Sequence, residues 1–286
     1  MATTKVIPGV LDLNATGADK SLKMPSGTTS NQPTGASGII RNNTDESNGG
    51  SSSCMEYYNG SDWKVMINCT TNVLDILDDG SCIAAYTFDG NVNDLSGNYN
   101  GTATSITYSA GKYGQAADFN GSSSKVELPS ALSDGSTTVA NCISFWFNVG
   151  AEVTSSTPNN EIMNFAQSSS NFGKIALGST TGNFTGETFS VTSDVTNQYT
   201  YMTSNIPAGW NHAVVQWNSS NTKWDIYING NAQSTSTFGT NQQGNWALKF
   251  GNRSTLYYTG KLDQVRIFNK SLSASEVTTV YNEVAC

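Results

Sequence analysis

Charge is scarce in this sequence: Lys, Arg, Asp and Glu make up 13% of its 286 residues, about half the usual share of about 25%. What charge there is leans acidic, with 14 Lys and Arg against 22 Asp and Glu and a net charge of −8. Nucleic-acid affinity depends on clustered Lys and Arg that displace counterions from phosphates, so no nucleic-acid partner is expected. Histidine is reduced to one residue, His212. The five cysteines, Cys54, Cys69, Cys82, Cys142 and Cys286, show no C-x-x-C spacing, which with a lone histidine argues against a zinc site. No apolar run approaches the roughly 18–20 residues that span a bilayer, so membrane insertion is not expected. The opening stretch MATTKVIPGVLDLNATG has neither the charged nor the apolar region of an export signal.

In place of charge stand Ser, Thr, Asn, Gln and 27 Gly, a surface of hydroxyls and amides. The cysteines read best as disulfides, with pairs such as Cys54–Cys69 and Cys82–Cys286 left open and at least one thiol left free or pairing between chains by the odd count. Disulfides without an export signal fit a virus particle released by lysis.

Residues 1–53 hold only short apolar pieces and cannot bury much alone, so they are expected to be disordered or ordered by partner chains. MEYYNGSDWKVMI (55–67) predicts two strands joined by a tight Asn59-Gly60 turn. TTNVLDILDDGS (70–81) reads as a connector ending in an Asp79-Gly80 turn. From Cys82 onward short β-type runs alternate with turn clusters, which predicts a sandwich or jelly roll. The one helix expected is the last, where Ser273 and Glu276 form a capping box ahead of Val277, Val280 and Tyr281.

One residue breaks the pattern. In LDQVRIF (262–268) strict alternation puts Asp263 on the same face as Val265 and Ile267, the face a core wants. A carboxylate there needs a partner.

Seven stretches in order, AAYTFDGNVNDLSGNYNGT, GKYGQAADFNGSSSKVELP, CISFWFNV, WNHAVVQWN, WDIYINGN, LKFGN and GKLDQVRIFNKSLSASEV, resemble the laminin-G-like or concanavalin A-like lectin/glucanase jelly rolls over roughly residues 83–284. The resemblance implies an all-β fold: a concanavalin A-like jelly-roll β-sandwich with a short C-terminal helix, preceded by a small N-terminal β attachment segment. The domains expected are 1–70 for attachment and trimerisation, 71–81 as linker and 82–286 as jelly roll. LDLNATGADKSLKMPSGTTSNQP, GIIRNNTDESN and MEYYNGSDWKVM, about residues 9–67, resemble segments of marine bacteriophage tail-fibre and virion appendage proteins. That resemblance implies a homotrimer bound to other virion proteins, located on a tail or capsid.

The glucanase branch aims its acids into one cleft with an E-x-D-x-x-E run, and none exists here. Glu127, Glu161 and Glu187 stand isolated, so no catalytic residue is assigned and the chain is not expected to be an enzyme. His212, in WNHAVVQW, reads as a packed strand residue. The resemblance implies a structural calcium ion (Ca2+) between an early loop and a late strand, with Asp89, Asp94 and Asp263 as ligands. The alternative is that these carboxylates cap turns and accept backbone hydrogen bonds.

Trp146, Trp210, Trp217 and Trp224 sit within strand motifs and read as core or core edge. Tyr199, Tyr201, Trp246, Tyr257 and Tyr258 lie at strand ends or on loops and are the candidate sugar contacts. The function expected is a virion structural protein presenting a lectin-like domain to host-surface glycans. Its rivals are a bacterial secreted or surface adhesion protein, an architectural decoration without ligand, and a glycan depolymerase.

Overall fold

The structure is a computed structural model that describes residues 26–27, 40–43, 54–61, 63–65, 73–129, 132, 141–166, 172–178, 187–193, 198–238, 248–253 and 256–283. The chain divides into two compact units, Met1–Asn68 and Cys69–Cys286.

The first unit holds a four-stranded sheet of β1 (Ser26–Gly27), β2 (Ile40–Asn43), β3 (Cys54–Tyr58) and β4 (Trp63–Val65), in that order. The β1–β2 pair is parallel and the others antiparallel. The expected hairpin is present, with Tyr58 opposite Trp63. Its loop is longer than a two-residue turn because Asn59 turns inward on itself, its side-chain oxygen accepting the Ser61 N–H at 2.8 Å.

The second unit runs through β5 (Cys82–Tyr86), β6 (Thr102–Thr104), β7 (Thr107–Ala110), β8 (Gln115–Asn120), β9 (Lys125–Glu127), β10 (Cys142–Val149), β11 (Asn160–Ala166), β12 (Phe172–Leu177), β13 (Phe189–Ser193), β14 (Gln198–Met202), β15 (Gly209–Asn218), β16 (Lys223–Ile228), β17 (Asn231–Ala232), β18 (Ser236–Phe238), β19 (Leu248–Phe250), β20 (Asn252–Arg253), β21 (Leu256–Tyr257), β22 (Thr259–Phe268) and α1 (Ala274–Tyr281). The first of its two large sheets orders as β17-β16-β15-β10-β22-β8-β7, with β5 also paired to β22. The second orders as β18-β14-β13-β12-β11-β19-β9-β6.

The sheets are antiparallel and face one another as a sandwich. Ile143, Phe145, Phe147 and Val215 of the first meet Ile175, Val191 and Phe250 of the second in one apolar cluster. Burying each such side chain is worth roughly 1.5–3 kcal/mol. In β16 the alternation is regular: Trp224, Ile226 and Ile228 are buried, with Lys223, Asp225 and Tyr227 half-buried between them.

The capping box forms as expected, with the Ser273 side chain accepting from the Glu276 N–H and the Glu276 side chain accepting from the Ser273 N–H. The helix lays Val277 and Val280 on the outer side of the first sheet, against Phe268, Leu272, Cys82 and Cys142. Residues of the expected 71–81 linker join this layer: Leu74, Ile76 and Leu77 pack on the same cluster. Asp75 locks the turn by accepting the N–H groups of Leu77 and Asp79 at 3.2 and 3.1 Å. The connector is therefore part of the second unit.

Cys82 and Cys142 are free and buried, which corrects the disulfide expectation at Cys82. Both stand opposite Phe268, one on each side of β22. Two strand intervals of about 4.8 Å exceed the reach of a disulfide between them. Cys54, Cys69 and Cys286 have no described side chains.

Candidate functional site

In each large sheet a β-bulge re-aims a carboxylate. In β22 the register against β10 slips, so Arg266 faces Ser144 while Asp263 faces Trp146, and Gln264 is the extra residue at φ +46°. Leu262, Val265 and Ile267 stay in the core. Asp263 is thereby turned onto the outer face, which corrects the alternation expected from the sequence.

That outer face is closed by α1, the C-terminal tail and the β7–β8 hairpin. Asp263 is fully buried, and its Oδ2 accepts the N–H groups of Lys112 and Tyr113 at 2.8 and 3.0 Å. Burial pushes this carboxyl up to about 7 against the pull of those N–H donors. Asp89 holds the other side of the same hairpin, accepting the Gln115 N–H at 2.7 Å. Asp94 works elsewhere, taking the N–H groups of Ala85 and Tyr99 at 2.8 and 3.2 Å and the Ser96 hydroxyl.

The three residues assigned to calcium are thus divided: Asp89 and Asp263 converge on one hairpin and Asp94 does not join them. Ca2+ takes six to eight oxygens. Among the described residues no three His, Cys, Asp or Glu side chains gather as a metal cage.

Beside Asp263 lies a buried network. Arg266 pairs with Glu283, whose other oxygen accepts the Trp146 indole N–H at 2.7 Å. Burial pushes the Glu283 carboxyl up, against the pull of Arg266. His212 contacts Ser144, Nε2 to Oγ at 2.8 Å, beneath the rings of Trp146 and Tyr281. Burial, with Arg266 and Lys112 nearby, pushes His212 down to about 3. This serine–histidine pair is sealed and holds a neutral ring; it is packing, as read from the sequence for His212.

The outer face of the second sheet is different. In β11 the bulge at Ile162 lets Ile162 and Met163 both enter the core, leaving Glu161 and Asn164 to face outward. Cross-strand register then builds one transverse band: Tyr199, Thr192, Lys174, Asn164, Lys249, Glu127 and Thr102 stand opposite one another in turn across β14, β13, β12, β11, β19, β9 and β6. A second row sets Tyr201, Ser190, Ala176 and Glu161 beside it.

At the centre of the band Lys174 and Glu161 form an ion pair of 3.0 Å with 3% and 1% of their side chains exposed. Asn164 Nδ2, Ser190 Oγ and Thr192 Oγ1 are buried there without a hydrogen-bond partner. Buried polar groups are nearly always paired, and these three atoms find no hydrogen-bond partner among the described residues.

Of the aromatic residues expected to contact sugar, Tyr201 is half-buried on this face and Tyr199 holds a register position beside it. Tyr257 is half-buried on β21. Tyr258 is fully buried against Phe119, its hydroxyl donating toward the Asn148 carbonyl at 3.3 Å, and so is corrected to a core residue. Trp246 lies outside the described residues.

The sequence reading missed Asn164, Lys174, Ser190 and Thr192. Their signal was the alternation in KIALG and ETFSVTS, which marks outward positions but not which strands stand side by side.

A laminin G-like family model, described as the concanavalin A-like lectin/glucanases superfamily, matches residues 120–278. Among solved structures, domain 4 of AbnA, a GH43 extracellular arabinanase from Geobacillus stearothermophilus in complex with arabinotriose, is 25% identical with a TM-score of 0.54. The match covers 71% of this chain and 98% of that one. The binding domain of botulinum neurotoxin DC, in complex with rat synaptotagmin II, is 15% identical with a TM-score of 0.53 over 74% of this chain. That of botulinum neurotoxin serotype C1 is 16% identical with a TM-score of 0.53 over 73%. The chain spans about half the length of these neurotoxin domains, 52% in each case. No curated protein matches the sequence.

Proposed function

Because the chain belongs to the concanavalin A-like lectin/glucanases superfamily, we propose that its second unit is a non-catalytic carbohydrate-binding jelly roll, held on a virion appendage by the N-terminal unit. The observation that carries the sugar-binding half is the polar band on the second sheet with its three unpartnered atoms. Leaving such a group unpaired costs about 1–3 kcal/mol, and sugar hydroxyls, each donor and acceptor at once, would supply the missing partners. The likeness to an arabinanase domain in complex with arabinotriose supports the same class of ligand.

Binding is favoured over hydrolysis by the state of the acids. A glycosidase needs one carboxyl that holds a proton at the scissile bond. On this face Glu161 is paired with Lys174, and Lys249 and Lys125 hold the Glu127 carboxyl below its usual range.

The virion half rests on the sequence likeness of residues 9–67 to phage tail-fibre and appendage segments. In this reading the unit trimerises, joins other virion proteins and presents three weak sites together to a host-surface glycan, so that effective concentration makes up for modest single-site affinity. A glycan array probed with the full chain, together with antibody labelling of phage particles, tests the two halves. Glycan binding with no signal on particles would leave an adhesion protein of another surface.

A further inference from the structure

Resting on the proposal that this face binds a glycan, we infer that its ligand is an extended, uncharged oligosaccharide and not a uronate, sialylated or sulfated one. Each of the three described lysines on the face is paired with one of its two glutamates. Lys174 is held by Glu161 in a nearly closed pair. At the β9 edge Lys125 and Lys249 both reach Glu127, at 2.9 and 2.7 Å.

An acidic sugar at the centre would have to take Lys174 from Glu161 and leave a buried carboxylate without its counter-charge, which low-dielectric surroundings penalise heavily. An added cation would leave the lysine alone in the same way. What the centre leaves without a hydrogen-bond partner is neutral: the Asn164 amide N–H and the Ser190 and Thr192 hydroxyls, in residues 4%, 0% and 6% exposed. These groups match sugar hydroxyls and supply no counter-charge to an ionised one.

The shape of the site follows from the register. The band crosses the strands at right angles, and neighbouring strands lie about 4.8 Å apart, so four intervals from Thr192 to Glu127 span roughly 19 Å. That length suits a chain of several sugars and exceeds a single terminal residue.

The test is binding of the full chain to neutral arabino-, xylo- and gluco-oligosaccharides and to oligogalacturonate and sulfated glycans. Each is measured at low salt and again at about 1 M NaCl, where the Debye length is roughly 3 Å. Neutral oligosaccharides are expected to bind, more tightly as they lengthen, and with affinity changed by less than about twofold by salt. Glu127→Gln, at the open edge where folding is least at risk, frees Lys125 and Lys249 and is expected to add salt-sensitive binding of oligogalacturonate. Glu161→Gln is expected to do the same at the centre where its melting temperature shows a folded chain.

Wild-type binding confined to acidic glycans and lost in salt would overturn this inference and leave the carbohydrate-binding proposal standing. So would a Glu127→Gln chain with no more affinity for oligogalacturonate than wild type. A folded chain that binds no glycan would overturn both.

Discussion

The carboxylate of Asp263 accepts the backbone N–H of Lys112 at 2.8 Å, tying the last strand of the sandwich to a hairpin 151 residues earlier in the chain. Together with the Tyr113 N–H it holds that hairpin against the sheet. Its partner in the task, Asp89, acts from the early loop.

The clamp should be insensitive to chelation, because its donors are N–H groups of the chain. Asp263→Ala should cost about 1–3 kcal/mol, since two part-buried N–H groups lose their acceptor. EDTA should leave the melting temperature of the wild type unchanged. A fall in melting temperature on chelation that Asp263→Ala abolishes would instead assign a calcium ion to this carboxylate.

Asp263 should add stability as pH falls from about 8 to 5, opposed by His212, whose buried ring refuses a proton and subtracts stability as pH falls below 6.5. Asp263 is raised from 3.8 to about 7 by burial, and Glu283 is raised as well. A carboxyl that holds its proton more tightly folded than unfolded favours the folded state as pH falls through its folded value. The stability of wild type relative to Asp263→Asn should rise across this range toward low pH; a difference that stays constant or moves in favour of Asp263→Asn toward pH 5 would contradict it.

The pair of Arg266 and Glu283 predicts an asymmetry between single and double changes. Glu283→Ala leaves a buried guanidinium without its counter-charge and should cost about 3–5 kcal/mol in urea unfolding. Arg266→Met combined with Glu283→Leu should recover most of that loss, because two apolar side chains need no partner there.

The bulge at Gln264 is a discrete device. Deleting it removes the extra residue, so Leu262, Val265 and Ile267 alternate inward and Asp263 and Arg266 outward without a slip. The deletion should therefore still give a cooperative melting curve by circular dichroism. Loss of cooperative folding would show that β22 needs the bulge for more than the facing of its side chains.

The sandwich was legible in the sequence because its signals are local: alternation in KWDIYING, the capping box at Ser273 and Glu276, turn glycines between short apolar runs. Bulges are not legible in this way. Nothing in LDQVRIF or EIMNFA marks Gln264 or Ile162 as the extra residue, since the slip is set by the partner strand, and each slip turns a carboxylate to the other face. The connector was misread for a related reason: Leu74, Ile76 and Leu77 look unanchored until the outer side of β22 and α1 are placed beneath them. The polar band is hidden in the same way, because Thr192, Lys174 and Asn164 are far apart along the chain and become neighbours only through register.

Titration calorimetry of the full chain with a neutral oligosaccharide, wild type against the Asn164→Ala, Thr192→Val double variant, reaches the centre of the band directly. Binding that weakens by about tenfold or more, some 1.4 kcal/mol, in a variant with an unchanged melting temperature is the predicted result. Equal binding by the two chains would place the sugar elsewhere and contradict the account.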